Sequence, residues 1–104
     1  MRRPYVVSKG AAADLREITR YSLAKWGEVQ CRIYIAELEK AAEAVAKGEG
    51  VFKDMGFLLP GLRMASCGKH FIFCMPQQGK APPLILAILH QRMDLMVRLK
   101  NRLQ

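Results

Sequence analysis

The chain has 104 residues, 51% of them hydrophobic, and a formal net charge of +8. Its length suits one compact domain over residues 1–104 and leaves no room for a second. The longest aliphatic run, Leu84 to Leu89, is too short to span a bilayer, and no apolar stretch follows Arg2 and Arg3 to make a secretory signal.

Tyr5-Val6-Val7 follows Pro4 and is rich in β-formers until Ser8-Lys9-Gly10 interrupts it, which predicts a short first strand. Ala11 to Lys25 predicts a helix, with Ser8 as its cap and Asp14 placed to favour the positive end of the dipole. Ala11, Leu15, Ile18 and Ser22 fall on one face, with Tyr21 and Trp26 on its flank, and Gly27 closes the helix. Glu28 to Lys47 predicts a second helix, with Cys31, Tyr34, Leu38, Ala41, Ala42 and Val45 repeating at three- and four-residue steps. Val29, Ile33 and Ala36 widen that stripe, while Glu37, Glu39, Lys40 and Glu43 mark the wet side. With Gly27 as the only break, the two helices fold back as an antiparallel hairpin.

Residues 50–61, with Gly50, Gly56, Pro60 and Gly61, read as a connection. Leu62 to Cys67 and Lys69 to Met75 flank Gly68 and predict a tight β-hairpin. A Pro/Gly loop over residues 77–83 leads to Leu84–His90, a continuous apolar strand suited to the sheet interior. Residues 93–103 have helical spacing at Leu95, Leu99 and Leu103, either as a terminal helix or as a basic tail that folds on binding. The resulting class is α+β: an N-terminal strand, an antiparallel two-helix hairpin, a three-stranded antiparallel meander and a possible C-terminal helix. The hairpin should cover one sheet face and leave the other exposed.

Charge is uneven along the chain. Residues 1–50 hold 9 Lys/Arg and 7 Asp/Glu, whereas residues 51–104 hold 8 Lys/Arg and 2 Asp/Glu. The uncancelled field of the second half favours an acidic protein segment or a phosphate backbone as partner. Cys31, Cys67 and Cys74 lack CxxC or Cys/His metal spacing and read as reduced thiols of a cytoplasmic protein. No Gly-rich phosphate loop, metal-ligand cluster or nucleophile triad is present, so no cofactor or metal is expected.

Three stretches carry a resemblance to a known family. "AAADLREITRYSLAKWGEVQCRIYIAEL" (11–38) resembles the helix hairpin of ParE toxins, including Tyr21 and the Trp26-Gly27 elbow. "PGLRMASCGKHFIFC" (60–74) is similar to the family's Pro-Gly-Leu-Arg and Gly-Arg/Lys-His segment, and "ILHQRMD" (88–94) is the most specific of the three. Cys74 stands where the family more often has Tyr, and Lys69 replaces the commoner Arg. The resemblance, to the ParE branch of the RelE/ParE toxin–antitoxin superfamily, implies the RelE/ParE fold. It also implies a growth-inhibiting toxin, a ParD-type antitoxin bound in a hetero-oligomeric complex that contacts DNA mainly through the antitoxin, and DNA gyrase as target, trapped on cleaved DNA.

On that resemblance, Arg92, Arg98, Lys100 and Arg102 are the expected target contacts, and Arg63, Lys69, Tyr34, Leu38 and Met64 the expected antitoxin contacts. The alternative is cleavage of messenger RNA on the ribosome, as in the RelE relatives. Arg63 and Arg92 would then hold phosphate, and His90 or His70 would move protons. That set is thin: Lys53 stands alone before the strands, and Met93-Asp94 follows Arg92 where the RelE branch offers Tyr. A third reading is a non-toxic module that only sequesters its partner. Arg63 has a plainer role open to it, as a surface ion pair with Asp94 or Glu49, and the histidines as hydrogen-bonders at the sheet edge. Met55, Met64, Met75, Met93 and Met96 are either core fillers or the lining of a groove for a partner helix.

Overall fold

A computed structural model describes residues 4–77 and 79–103; Arg2 and Arg3 lie outside the described residues. The elements in chain order are β1 (Val6–Val7), α1 (Lys9–Trp26), α2 (Glu28–Ala46), β2 (Lys53–Asp54), β3 (Arg63–Cys67), β4 (His70–Met75), β5 (Leu84–His90) and α3 (Leu95–Leu103). They form a five-stranded sheet in the order β1-β5-β4-β3-β2. The β3-β4-β5 meander is antiparallel, and β1 joins β5 in parallel.

Local chemistry sets the boundaries. The Ser8 hydroxyl accepts from the Ala11 amide at 3.0 Å, so α1 starts at Lys9, two residues before its apolar face begins. Gly27, at φ 86°, ends α1 and begins α2, a conformation that a side chain would resist. Gly68 (φ 56°) and Lys69 form a two-residue turn between β3 and β4. A Cβ at Gly68 would lie 2.7 Å from Tyr34 Cε1, so this turn also needs glycine to let α2 approach.

Strand alternation divides the core in two. Ile72 and Cys74 of β4 point toward the helix hairpin with Ala65, Ile85 and Ile88, where they meet Ala11, Ile18, Leu38, Ala42 and Val45. Phe73, Leu86, Ala87 and Leu89 point the other way. A β-bulge at Leu86 sets this parity: Phe73 pairs with Ala87 but Cys74 with Ile85, so Leu86 and Ala87 both join the second cluster.

That second cluster corrects the expectation of an exposed sheet face. Leu99 of α3, buried to 1%, covers it together with Met55 and Leu62 from the connection, and Leu95 and Leu103 pack at its rim. The basic tail is therefore a helix whose apolar edge closes the sheet, and the basic residues of the strands do not share one open face. Residues 50–61 also contain β2, a two-residue edge strand paired with β3, which its polar sequence did not signal. The stripe on α2 is narrower than expected: Val29 and Ile33 are 74% and 46% exposed, on the side opposite Cys31, Leu38 and Ala42.

Beyond Ile85 the outer edge of β5 has no strand beside it among the described residues, and the start of α1 satisfies it instead. The Ser8 hydroxyl donates to the Leu86 carbonyl at 3.0 Å, and the Ile88 amide donates to Asp14 Oδ2 at 2.9 Å. Asp14 also receives both guanidinium nitrogens of Arg102, at 2.7 and 2.9 Å. Asp14 is thus a tertiary hub joining α1, β5 and α3, beyond its expected role at the helix dipole. No helix among the described residues is long and apolar enough to cross a membrane.

Candidate target-binding surface

Strand register determines which candidate residues meet. Arg63 opens β3 opposite Cys74, while Cys67 closes it opposite His70, which itself pairs with His90. Four residue steps along a strand separate these ends by about 13 Å. Arg63 is therefore not gathered with His70, His90 and Arg92. Its guanidinium donates to the Val45 carbonyl at 3.1 Å and lies over the Phe52 ring at 5.1 Å. It pairs with neither Asp94 nor Glu49 among the described residues; its cation tethers the end of α2 to the sheet.

The opposite end of the sheet carries a chain of rings. His90 and His70 meet edge to face at 5.1 Å, His70 meets Tyr34 at 5.6 Å, Tyr34 meets Trp26 at 5.9 Å, and Trp26 meets Tyr21 at 6.3 Å. Edge-to-face pairs of this kind add about 0.5–1.5 kcal/mol each to the burial of their surfaces. The Tyr34 hydroxyl lies 2.5 Å from His70 Nδ1 and donates to the Cys67 carbonyl at 3.2 Å. His90 Nδ1 accepts from the Arg92 amide at 3.0 Å. Each histidine thus has one ring nitrogen already engaged.

Burial, then the neighbouring His90, pushes the His70 pKa down, against a weaker opposing pull from Asp14. Burial raises Tyr34. At the exposed end of the row, the hydrogen bond from Lys25 lowers the Tyr21 hydroxyl, and the charges of Lys25, Lys69 and Arg92 add to the effect. The cysteines are free thiols, and burial pushes Cys74 up to about 11, so it stays protonated and unreactive at neutral pH.

The expected contact residues separate into surface and interior. Arg92, Arg98 and Lys100 are exposed and make no ion pair among the described residues. Arg102 does not present its charge outward in this way: it is 27% exposed, paired to Asp14, and bonded to the Leu86 carbonyl. Leu38 is 1% exposed and belongs to the hairpin core, so it offers no free contact surface. Lys69 is exposed at the turn, Tyr34 is half-buried in the ring row, and Met64 is half-buried against the second core. The methionines divide likewise: Met55, Met64 and Met75 fill the core, and Met93 and Met96 remain 42% and 41% exposed. Sequence reasoning missed the grouping of Tyr21, Lys25 and Trp26 with the β3-β4 turn. The four-residue step from Tyr21 to Lys25 was its one available signal.

The family model described as "ParE toxin of type II toxin-antitoxin system, parDE" matches residues 5–95. Toxin ParE of Escherichia coli is 53% identical over 100 residues, covering 96% of both chains. Toxin ParE1 of Caulobacter vibrioides is 33% identical over 92 residues, covering 88% of this chain and 93% of its own. A solved structure titled "Chromosomal ParDE TA system from P. aeruginosa" shares the fold, with a TM-score of 0.60 at 22% identity over 83% of this chain and 92% of that one. Two helices braced on a β-meander, and a family match that runs from β1 into α3, lead to one assignment: this chain belongs to the ParE toxin family of type II toxin–antitoxin systems.

Proposed function

We propose that this ParE toxin arrests growth by binding DNA gyrase and trapping its cleavage complex, without a reaction centre of its own, and that a ParD-type antitoxin neutralises it in the cytoplasm. Arg92, with the exposed Arg98 and Lys100 of α3, is the surface for gyrase. The observation that carries binding over cleavage is that Arg63 is parted from the rest of the candidate cleavage set, Arg92, His70 and His90, which stay together. Arg63, the phosphate-facing candidate, is tied to Val45 and Phe52 at one end of β3, while His70 and His90 pack against each other at the far end. Ribonucleolytic transfer needs base, acid and cation around one phosphate.

The antitoxin is an extended segment with an amphipathic helix that lies on the outer side of the hairpin. The solvent-facing Val29 and Ile33 supply the apolar contact that the interior Leu38 cannot, and Tyr34 and Lys69 lie toward the hairpin's elbow end, whereas Met64 packs on the opposite sheet face and Arg63 is held by Val45 and Phe52. Purified gyrase tests the toxin reading. Added toxin should inhibit supercoiling and accumulate broken DNA linked to gyrase, and Arg92→Ala combined with Arg98→Ala should weaken both effects about tenfold or more. Unchanged supercoiling at toxin excess, or new message 5′ ends after induction, would reject it.

A further inference from the structure

The elbow of the helix hairpin and the β3-β4 turn come together at one end of the molecule. Tyr21 and Trp26 are 59% and 44% exposed there. Lys25 donates to the Tyr21 hydroxyl at 3.0 Å and stands 5.4 Å from the Tyr21 ring and 5.9 Å from the Trp26 ring. Lys69, in the turn, and Arg92, just past β5, are exposed and near enough for their charge to act on the same hydroxyl. No carboxylate acts on that hydroxyl among the described residues. Asp94, the nearest acid in sequence to Arg92, is turned to the Val97 amide at the start of α3. The surfaces proposed for gyrase and antitoxin include Arg92 and Lys69 but not Tyr21, Lys25 or Trp26.

We propose that Tyr21, Lys25, Trp26, Lys69 and Arg92 form a binding surface for single-stranded nucleic acid. The three cations meet backbone phosphates, and the exposed face of Trp26, with Tyr21 beside it, receives a base. Cations interleaved with exposed aromatic faces are the pairing that single strands use, because every base offers a π-face whatever its sequence. An acidic peptide would satisfy the cations and leave the ring faces unused, which is why the nucleic acid is the better fit. Contact is charge-driven and indifferent to sequence.

Trp26 is the only tryptophan, so its fluorescence reports on this surface directly. The full chain is titrated with an oligothymidylate of about ten nucleotides, long enough to cross such a patch. The strand should quench Trp26. Neutralising phosphates with three cations should weaken binding about 20-fold between about 50 and 200 mM salt. Lys25→Gln, Lys69→Gln and Arg92→Gln together should remove most of that dependence, and Lys69→Gln alone should remove about a third of it. Arg98→Gln with Lys100→Gln, on α3, should leave it intact. No quenching at low salt would overturn the proposal. So would equal losses in the α3 variant, or polyglutamate binding the same surface as tightly as the strand. Because gyrase is absent, failure here leaves the gyrase reading standing, and inert gyrase leaves this one standing.

Discussion

Asp14 accepts three hydrogen bonds, one from the Ile88 amide and two from Arg102, in a pair whose side chains are 15% and 27% exposed. Removing one partner of such a pair leaves the other charge poorly solvated beside a strand edge. Asp14→Ala should therefore cost about 2–3 kcal/mol, more than a surface ion pair's ~1 kcal/mol or less. A shift in the urea midpoint at constant slope measures it. A loss no larger than that of Glu17→Ala, whose pair with Arg20 is exposed, would show that Asp14 is no hub. His70 acts through the solvent proton. Its folded pKa lies below its ordinary value of 6.5, because burial and His90 disfavour the charged ring, while Tyr34 holds Nδ1 and Asp14 pulls weakly the other way. The unfolded chain then binds the proton more readily, so stability rises with pH through this window and falls as pH drops below about 6.5. The wild-type minus His70→Gln stability difference, followed from about pH 7.5 to 5.5, should shrink on acidification. A flat difference would mean that the fold does not hold His70 neutral.

At the scale of elements, α3 closes the second core. Leu99 is its fully buried contact, so Leu99→Ala should cost about 2–4 kcal/mol, as other buried leucines do. A cost under ~1 kcal/mol would mean that α3 is only loosely docked. The exposed side of α2 makes the opposite prediction. Val29→Glu with Ile33→Glu should leave the unfolding free energy within about 0.5 kcal/mol of wild type and weaken antitoxin binding at least about tenfold, measured by titration calorimetry. Unchanged affinity would move the antitoxin elsewhere. Most elements were legible because their signals are local: the Ser8 cap, Gly27, Gly68, and the apolar run of β5. What stayed hidden depends on partners far along the chain. Lys53 and Asp54 carry no strand pattern and pair only because β3 lies beside them. Arg102 looked like free charge because Asp14 stands 88 residues earlier. Val29 and Ile33 are as apolar as Leu38, and only the side on which the sheet lies decides which of them is buried.

For the whole molecule, the two cores leave their charge at the ends rather than on one open face. Lys69 and Arg92 stand at the elbow end, Arg98 and Lys100 are exposed on either flank of the buried Leu99 in α3, and Arg63 is folded in at the far end of β3. The candidate site was half legible for the same reason: the residue types were visible, but strand register decided that Arg63 and the histidines would be parted. On the proposed reading the toxin acts by occupying gyrase, so its effect should scale with the amount bound. The direct test is to titrate the toxin against a fixed concentration of gyrase, well above the dissociation constant, and count trapped cleavage complexes. The trapped fraction should rise linearly and level off at a fixed toxin-to-gyrase ratio. Continued accumulation at toxin far below that ratio would mark a catalyst and contradict the account.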